Sequence, residues 1–117
     1  MMNPPAKIGA SLDEIDTPAL IVDLDAFDRN IAKLAHYVAS KGVALRAHAK
    51  THKSSAVARK QMAAGAVGQC VQKVGEAEAL VVGGIGDVLV TNQIVGAEKL
   101  SRLAKLAHRV AIGLCFD

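Results

Sequence analysis

Val43-Ala44-Leu45-Arg46-Ala47-His48-Ala49-Lys50 alternates residue by residue. Successive side chains of a strand point to opposite faces, so Val43, Leu45, Ala47 and Ala49 share one face and Ala44, Arg46, His48 and Lys50 share the other. The first face is wholly apolar and suits a layer of helices. The second becomes charged toward the strand's C-terminal end, where parallel α/β enzymes place their chemistry. A strand is predicted over residues 43–49, with Lys50 at its mouth.

Working outward, the same alternation of elements recurs. A helix is predicted near 54–64 and stopped by Gly65, a strand near 67–71, and a helix near 75–82 stopped by Gly83-Gly84. A strand near 87–91, a helix near 97–108 and a β-prone run from Arg109 to Phe116 follow. Upstream, Asp23 or Asp25 can cap a helix whose apolar residues Phe27, Ile31, Leu34, Tyr37 and Val38 recur at steps of three and four, with Gly42 ending it. Ala19-Leu20-Ile21-Val22 is a short β-prone run. Residues 1–18 hold all three prolines and the acidic Asp13, Glu14 and Asp16, as expected of a leader crossing a surface. Strand, helix, strand with short connections means right-handed βαβ units and a parallel sheet, an α/β protein. An open doubly wound sheet and a closed eight-stranded barrel both accept strand starts roughly 20 to 25 residues apart. The last strand runs into Asp117 with no following loop, so the chain is expected to be a portion of a larger fold.

Composition narrows the class. The 117 residues allow one domain or less. Hydrophobic residues make up 51% but aromatics only 3%, an aliphatic filling typical of layered α/β folds and barrels. The net charge of +3 is small and spread from Lys7 to Arg109, which does not argue for nucleic acid. Cys70 and Cys115 lie in apolar stretches without a partner at metal spacing and are expected as buried, reduced thiols. The N-terminus lacks the apolar region of a secretory signal, and no run reaches the roughly 20 residues of a membrane span. A cytoplasmic protein with no membrane contact is the expectation.

Arg46, His48, Lys50, His52 and Lys53 concentrate positive charge in one short segment. Neighbouring cations disfavour the ammonium form of a lysine, and a partly buried amine so affected is the nucleophile that forms a Schiff base with an aldehyde. The competing explanation is a solvated basic loop at a strand end. His48 and His52 are four apart, but on or beyond a strand and without a zincin glutamate, so no metal site is assigned. Gly83, Gly84 and Gly86 precede a strand, whereas a dinucleotide loop follows one, and a helix-ending turn explains them. Gln72 and Lys73 end one strand; Thr91, Asn92 and Gln93 end the next. Both groups suit either a barrel mouth or an ordinary polar strand end. Glu76 and Glu78 fall on different helical faces and do not form a carboxylate pair.

The run Arg46-Ala-His-Ala-Lys-Thr-His-Lys53 closely resembles the cofactor-lysine segment of the family of D-threonine aldolase, D-3-hydroxyaspartate aldolase and eukaryotic-type D-serine dehydratase, relatives of alanine racemase. Asp16-Thr-Pro-Ala-Leu20 resembles that family's opening strand, Cys70-Val-Gln-Lys-Val-Gly-Glu-Ala-Glu78 its second barrel strand and helix, and Asp87-Val-Leu-Val-Thr-Asn-Gln93 its third. The resemblance implies roughly the first half of a (β/α)8 TIM-like barrel over residues 19–117, after a leader at 1–18. The remaining barrel and a β-rich C-terminal domain would lie outside this chain. It implies pyridoxal 5'-phosphate as cofactor, held by Lys50 as Schiff-base lysine and not by Lys53. Arg46, His48, His52, Gln72, Thr91 and Asn92 are the expected cofactor neighbours. Where the family carries proline after the arginine, this chain has Ala47.

The implied reaction is retro-aldol cleavage of a β-hydroxy D-amino acid to glycine and an aldehyde, or elimination of the D-serine dehydratase type. Any divalent metal would be held by the C-terminal domain, and the full protein is expected as a homodimer. Two other readings stand beside this one. A non-catalytic fragment would expose unpaired sheet edges and fold poorly, and this chain alone is expected to be inactive. A small basic module using residues 46–60 on nucleic acid would lack aromatic stacking platforms.

Overall fold

The computed structural model describes residues 6–116. Residues 1–5 of the expected leader, with the N-terminal stretch read for a secretory signal, lie outside them, as does Asp117. In chain order the elements are α1 (Leu24–Ser40), β1 (Arg46–His48), α2 (Ser55–Ala63), β2 (Gly68–Val71), α3 (Val74–Val82), β3 (Asp87–Gln93), α4 (Ala97–Ala107) and β4 (Ala111–Cys115). A single 3-10 turn, Leu12–Glu14, interrupts the leader and is closed by a reciprocal Ser11–Glu14 cap.

The four strands form one sheet in the order β1-β2-β3-β4, with every neighbouring pair parallel. Each crossover therefore steps one place in the same direction, and right-handed crossovers of that kind put all connecting helices on one face. A doubly wound sheet needs a reversal of strand order, which is absent among the described strands. The choice left open by spacing thus falls to the barrel type.

Local chemistry sets the helix ends. Asp23 Oδ1 accepts the Ala26 amide at 2.7 Å and starts α1; Ser54 Oγ accepts the Val57 amide at 3.3 Å and starts α2. Gly42 and Gly65 leave their helices at φ 66° and 104°, a region open to glycine and costly for other residues. The core lies between sheet and helices. Val71, Val88 and Val90 are fully buried on the helix side, against Ala58 of α2, Ala77 and Leu80 of α3, and Leu103 and Leu106 of α4. Small residues let the helices sit close. A Cβ on Gly83 would lie 2.2 Å from Ser55 Cβ, a short side chain with nowhere to swing. Gly83→Ala is therefore expected to destabilise the chain by about 1–2 kcal/mol through overpacking between α3 and α2, read as a lower urea midpoint at unchanged slope.

The α1 helix is attached differently. None of its residues is buried. Its apolar stripe covers α2 incompletely, leaving a cavity of about 230 Å³ lined by Phe27, Ile31, Leu34, Leu45 and Gln61. The Lys60–Asp28 ion pair at 3.0 Å is solvent-exposed, a setting in which such pairs contribute about 1 kcal/mol or less.

Three expectations are corrected. Residues 19–22 form no strand: the segment has no sheet partner, and Leu20, Ile21 and Val22 are exposed. A β-prone run becomes a strand only when another strand meets it. The first barrel strand is Arg46–His48, shorter than residues 43–49, because β1 is an edge with β2 alone to pair with and Val43 is exposed beyond the last partner. Cys115 is exposed, not buried, and Cys70 is half-buried; both are free thiols.

Candidate active site

Strand register builds the face opposite the helices. Arg46 pairs with Gly68 and His48 with Cys70, and Cys70 pairs with Leu89. Arg46, His48, Cys70, Asp87, Leu89 and Thr91 consequently share the concave face. Its lowest layer is a charge pair. Arg46 Nη1 donates to Asp87 Oδ1 at 2.7 Å and Nη2 to Asp87 Oδ2 at 3.1 Å, spanning from β1 to β3 across β2. That span exists because the residue beneath it is glycine: a Cβ at Gly68 would lie 2.0 Å from Arg46 Nη1. The bidentate bond holds the Asp87 carboxyl below the usual carboxylate range and raises the Arg46 guanidinium.

Two residues nearer the mouth, the face becomes a hydrogen-bond relay. The Lys50 amide donates to His48 Nδ1 at 3.3 Å. With Nδ1 accepting, the neutral ring carries its proton on Nε2, which faces Thr91 Oγ1 at 3.0 Å. The Thr91 hydroxyl in turn donates to the Val71 carbonyl at 3.1 Å. Lys50 itself begins the turn after β1. Ala49 is buried and its amide is held by the Cys70 carbonyl at 2.8 Å, while the Lys53 amide closes on the Ala49 carbonyl at 2.7 Å. Lys50 is exposed at the C-terminal end of the strand, where a partly buried amine was expected.

The expected site residues disperse over four places. Arg46 lies four residues below Lys50, about 13 Å along a strand, and is bound to Asp87 in the floor. His52 turns toward the helix layer. Its Nδ1 accepts the Ser54 amide at 3.1 Å, and its buried Nε2 faces Gln61 of α2. His48, Lys50 and Thr91 stay together. Gln72 and Asn92 meet each other, Asn92 Nδ2 donating to the Gln72 carbonyl at 3.4 Å. They line a separate cleft of about 310 Å³ with Lys73, Gly75, Lys99 and Arg102, where β2 and β3 run into α3 and α4. Asp87, Gly68 and Cys70 were not among the expected site residues. Asp87 and Gly68 were legible as the first residues of successive strands in register with Arg46.

Burial lowers the His52 pKa, outweighing the effect of the polar groups of Gln61 and Ser54 beside the ring. A histidine with a depressed folded value contributes stability above its unfolded value of 6.5, lost as pH falls through the lowered folded one. The urea midpoint should therefore decline below about pH 6.5, less steeply in His52→Gln. A second decline is expected in the carboxylate range, where Asp87 and Glu78, lowered by Arg46 and Arg102, take up protons.

Comparison with known proteins shows the family and the fold. The chain is 48% identical over 115 residues to the 3-hydroxy-D-aspartate aldolase of Paracoccus denitrificans (strain Pd 1222), covering 97% of this chain and 30% of that protein. The crystal structure of D-threonine aldolase from Filomicrobium marinum superposes with a TM-score of 0.97 at 54% identity, over 99% of this chain and 31% of the other. D-threo-3-hydroxyaspartate dehydratase from Delftia sp. HT23 superposes with a TM-score of 0.80 at 38% identity, over 88% and 27%. The chain thus spans about 30% of the length of the curated relatives it matches. Residues 22–114 match the model of the alanine racemase N-terminal domain, and the chain belongs to that family.

Proposed function

We propose that this chain carries the cofactor lysine of a pyridoxal-phosphate-dependent lyase acting on β-hydroxy D-amino acids. The observation that carries the reading is Lys50: a primary amine, exposed at the C-terminal end of the first barrel strand and fixed through its backbone by the His48–Thr91 relay. The donor set fits an aldehyde-bearing anion. Lys50 supplies the amine, the His48–Thr91 relay stands behind it with the Thr91 proton on the Val71 carbonyl, and Gln72 and Asn92 offer polar groups in the separate cleft at the neighbouring strand ends. Arg46 and His52 support this set from the floor and from the helix layer.

When bound, pyridoxal phosphate supplies an electron sink for the carbanion left as a bond to the substrate's Cα breaks. Lys50, released as a free amine, is placed to take or return the proton at that carbon. Retro-aldol cleavage of D-threonine or D-3-hydroxyaspartate to glycine and an aldehyde is the reading favoured by the two aldolase relatives. Elimination of the dehydratase type is the second reading, favoured by the likeness to the Delftia dehydratase. Both use the same lysine. On this reading residues 19–117 belong to the barrel of a longer cytoplasmic homodimer, and any divalent metal is held outside this chain.

The test uses the protein expressed from its complete gene, supplied with pyridoxal phosphate and each D-amino acid. Glycine plus acetaldehyde from D-threonine is the expected result. Ammonia and a 2-oxo acid from D-3-hydroxyaspartate, without glycine, would establish the dehydratase reading. Turnover of neither substrate by a protein that holds the cofactor would overturn the proposal.

A further inference from the structure

Two histidines use the same local device on either side of the Lys50 turn. His48 Nδ1 accepts the amide of Lys50, two residues ahead, at 3.3 Å. His52 Nδ1 accepts the amide of Ser54, again two residues ahead, at 3.1 Å. Between them the Lys53 amide closes a single turn onto the Ala49 carbonyl at 2.7 Å. Lys53 occupies the left-handed region, φ 49°, which residues with a Cβ adopt uncommonly. A turn that contains such a residue persists because its surroundings hold it. The His48 ring is also anchored by its other nitrogen, against Thr91 Oγ1 at 3.0 Å, whereas the His52 ring is held by burial, its Nε2 enclosed without a hydrogen-bond partner near Gln61 of α2.

We propose that His48 and His52 are positioning residues: as rings protonated on Nε2, they pin the two ends of the turn at residues 49–53 and so fix the direction in which Lys50 leaves β1. Thr91 anchors the first ring, and burial near Gln61 of α2 holds the second. The role acts through the backbone of Lys50 and rests on the reading of Lys50 as the cofactor lysine. The device reproduces, with imidazole, the turn in which an Asn or Asp oxygen accepts the amide two residues ahead. Asparagine should therefore substitute for the Nδ1 function of either histidine although it is too short to reach the anchor. Glutamine reaches the anchor with its amide nitrogen but leaves no acceptor at the Nδ1 position.

Amide hydrogen exchange on the protein expressed from its complete gene tests this directly, with Val71 and Val90 as reference amides for an intact core. His48→Gln is expected to lower protection at Lys50 by about tenfold or more, and His48→Asn to hold it within about threefold of the unmodified chain. His52→Gln and His52→Asn should divide in the same way at Ser54. Equal protection in the glutamine and asparagine variants would overturn the proposal. Should a variant lose the reference amides as well, the ring nitrogen spectrum of the unmodified chain decides. Nε2-protonated rings at both positions support the proposal, and an Nδ1-protonated ring at either overturns it.

Borohydride trapping of pyridoxal phosphate separates this inference from the reading beneath it. Label at Lys50 that falls in His48→Gln and persists in His48→Asn supports both. Label that forms elsewhere in the unmodified chain defeats the Lys50 reading, while the exchange pattern still decides whether the histidines set the turn.

Discussion

Lys50→Ala is expected to abolish covalent, borohydride-fixed attachment of pyridoxal phosphate at the strand mouth, a drop of about a hundredfold or more in trapped label. Lys50→Arg should fail equally, because a guanidinium stays protonated and offers no nucleophilic amine. Lys53→Ala should keep the label. Its residue lies on the far side of the turn closed by the Lys53–Ala49 hydrogen bond, past the point where β1 aims a side chain. Loss of label in Lys50→Ala cannot be attributed to unfolding. Lys50 is exposed, and truncating an exposed side chain of this kind changes stability by about 0.5 kcal/mol or less. Quantifying the reduced pyridoxyl peptide by mass spectrometry, beside a urea transition of each variant, checks both halves of the expectation.

Gly68→Ala should produce the largest loss of stability among single-methyl changes on the concave face. The added Cβ would sit 2.0 Å from Arg46 Nη1 and 2.7 Å from Arg46 Cζ, so the guanidinium must leave Asp87. It would also sit 3.0 Å from the Asp87 carbonyl oxygen, which belongs to the β3 backbone and cannot swing aside. Overpacking and the lost charge-assisted bonds together predict about 2–4 kcal/mol. A double-mutant cycle separates the two. In an Arg46→Ala background the arginine is no longer there to be displaced, and Gly68→Ala should cost less by about 1 kcal/mol or more. Equal costs in the two backgrounds would mean that Arg46 does not depend on the glycine beneath it.

Helix ends were legible in the sequence because their chemistry is local. Asp23 and Ser54 cap helices with their own side chains, and Gly42 and Gly65 take the left-handed conformation that ends them. The parallel order followed from the repeated strand and helix pattern. What could not be read depends on distant partners. Residues 19–22 have strand composition but meet no strand. Arg46 has the right parity for the site, yet its position is decided by Asp87, which lies 41 residues further along the chain. His52 was placed with the site because it belongs to the same short basic segment and to the run that resembles the cofactor-lysine segment. The turn closed at Lys53 delivers the ring to the helix layer instead. Lys50 and His48 stay together because both their spacing and their hydrogen bond lie within the one segment.

The most direct test of the account is to mix the purified chain with pyridoxal phosphate, reduce with borohydride, digest, and locate the pyridoxyl group by mass spectrometry. A label confined to Lys50 is the predicted result, since the relay from Thr91 through His48 fixes that residue at the strand end. Label scattered over Lys7, Lys33, Lys53 and Lys105, or none at all, would contradict the claim that this turn presents a preorganised amine to the cofactor.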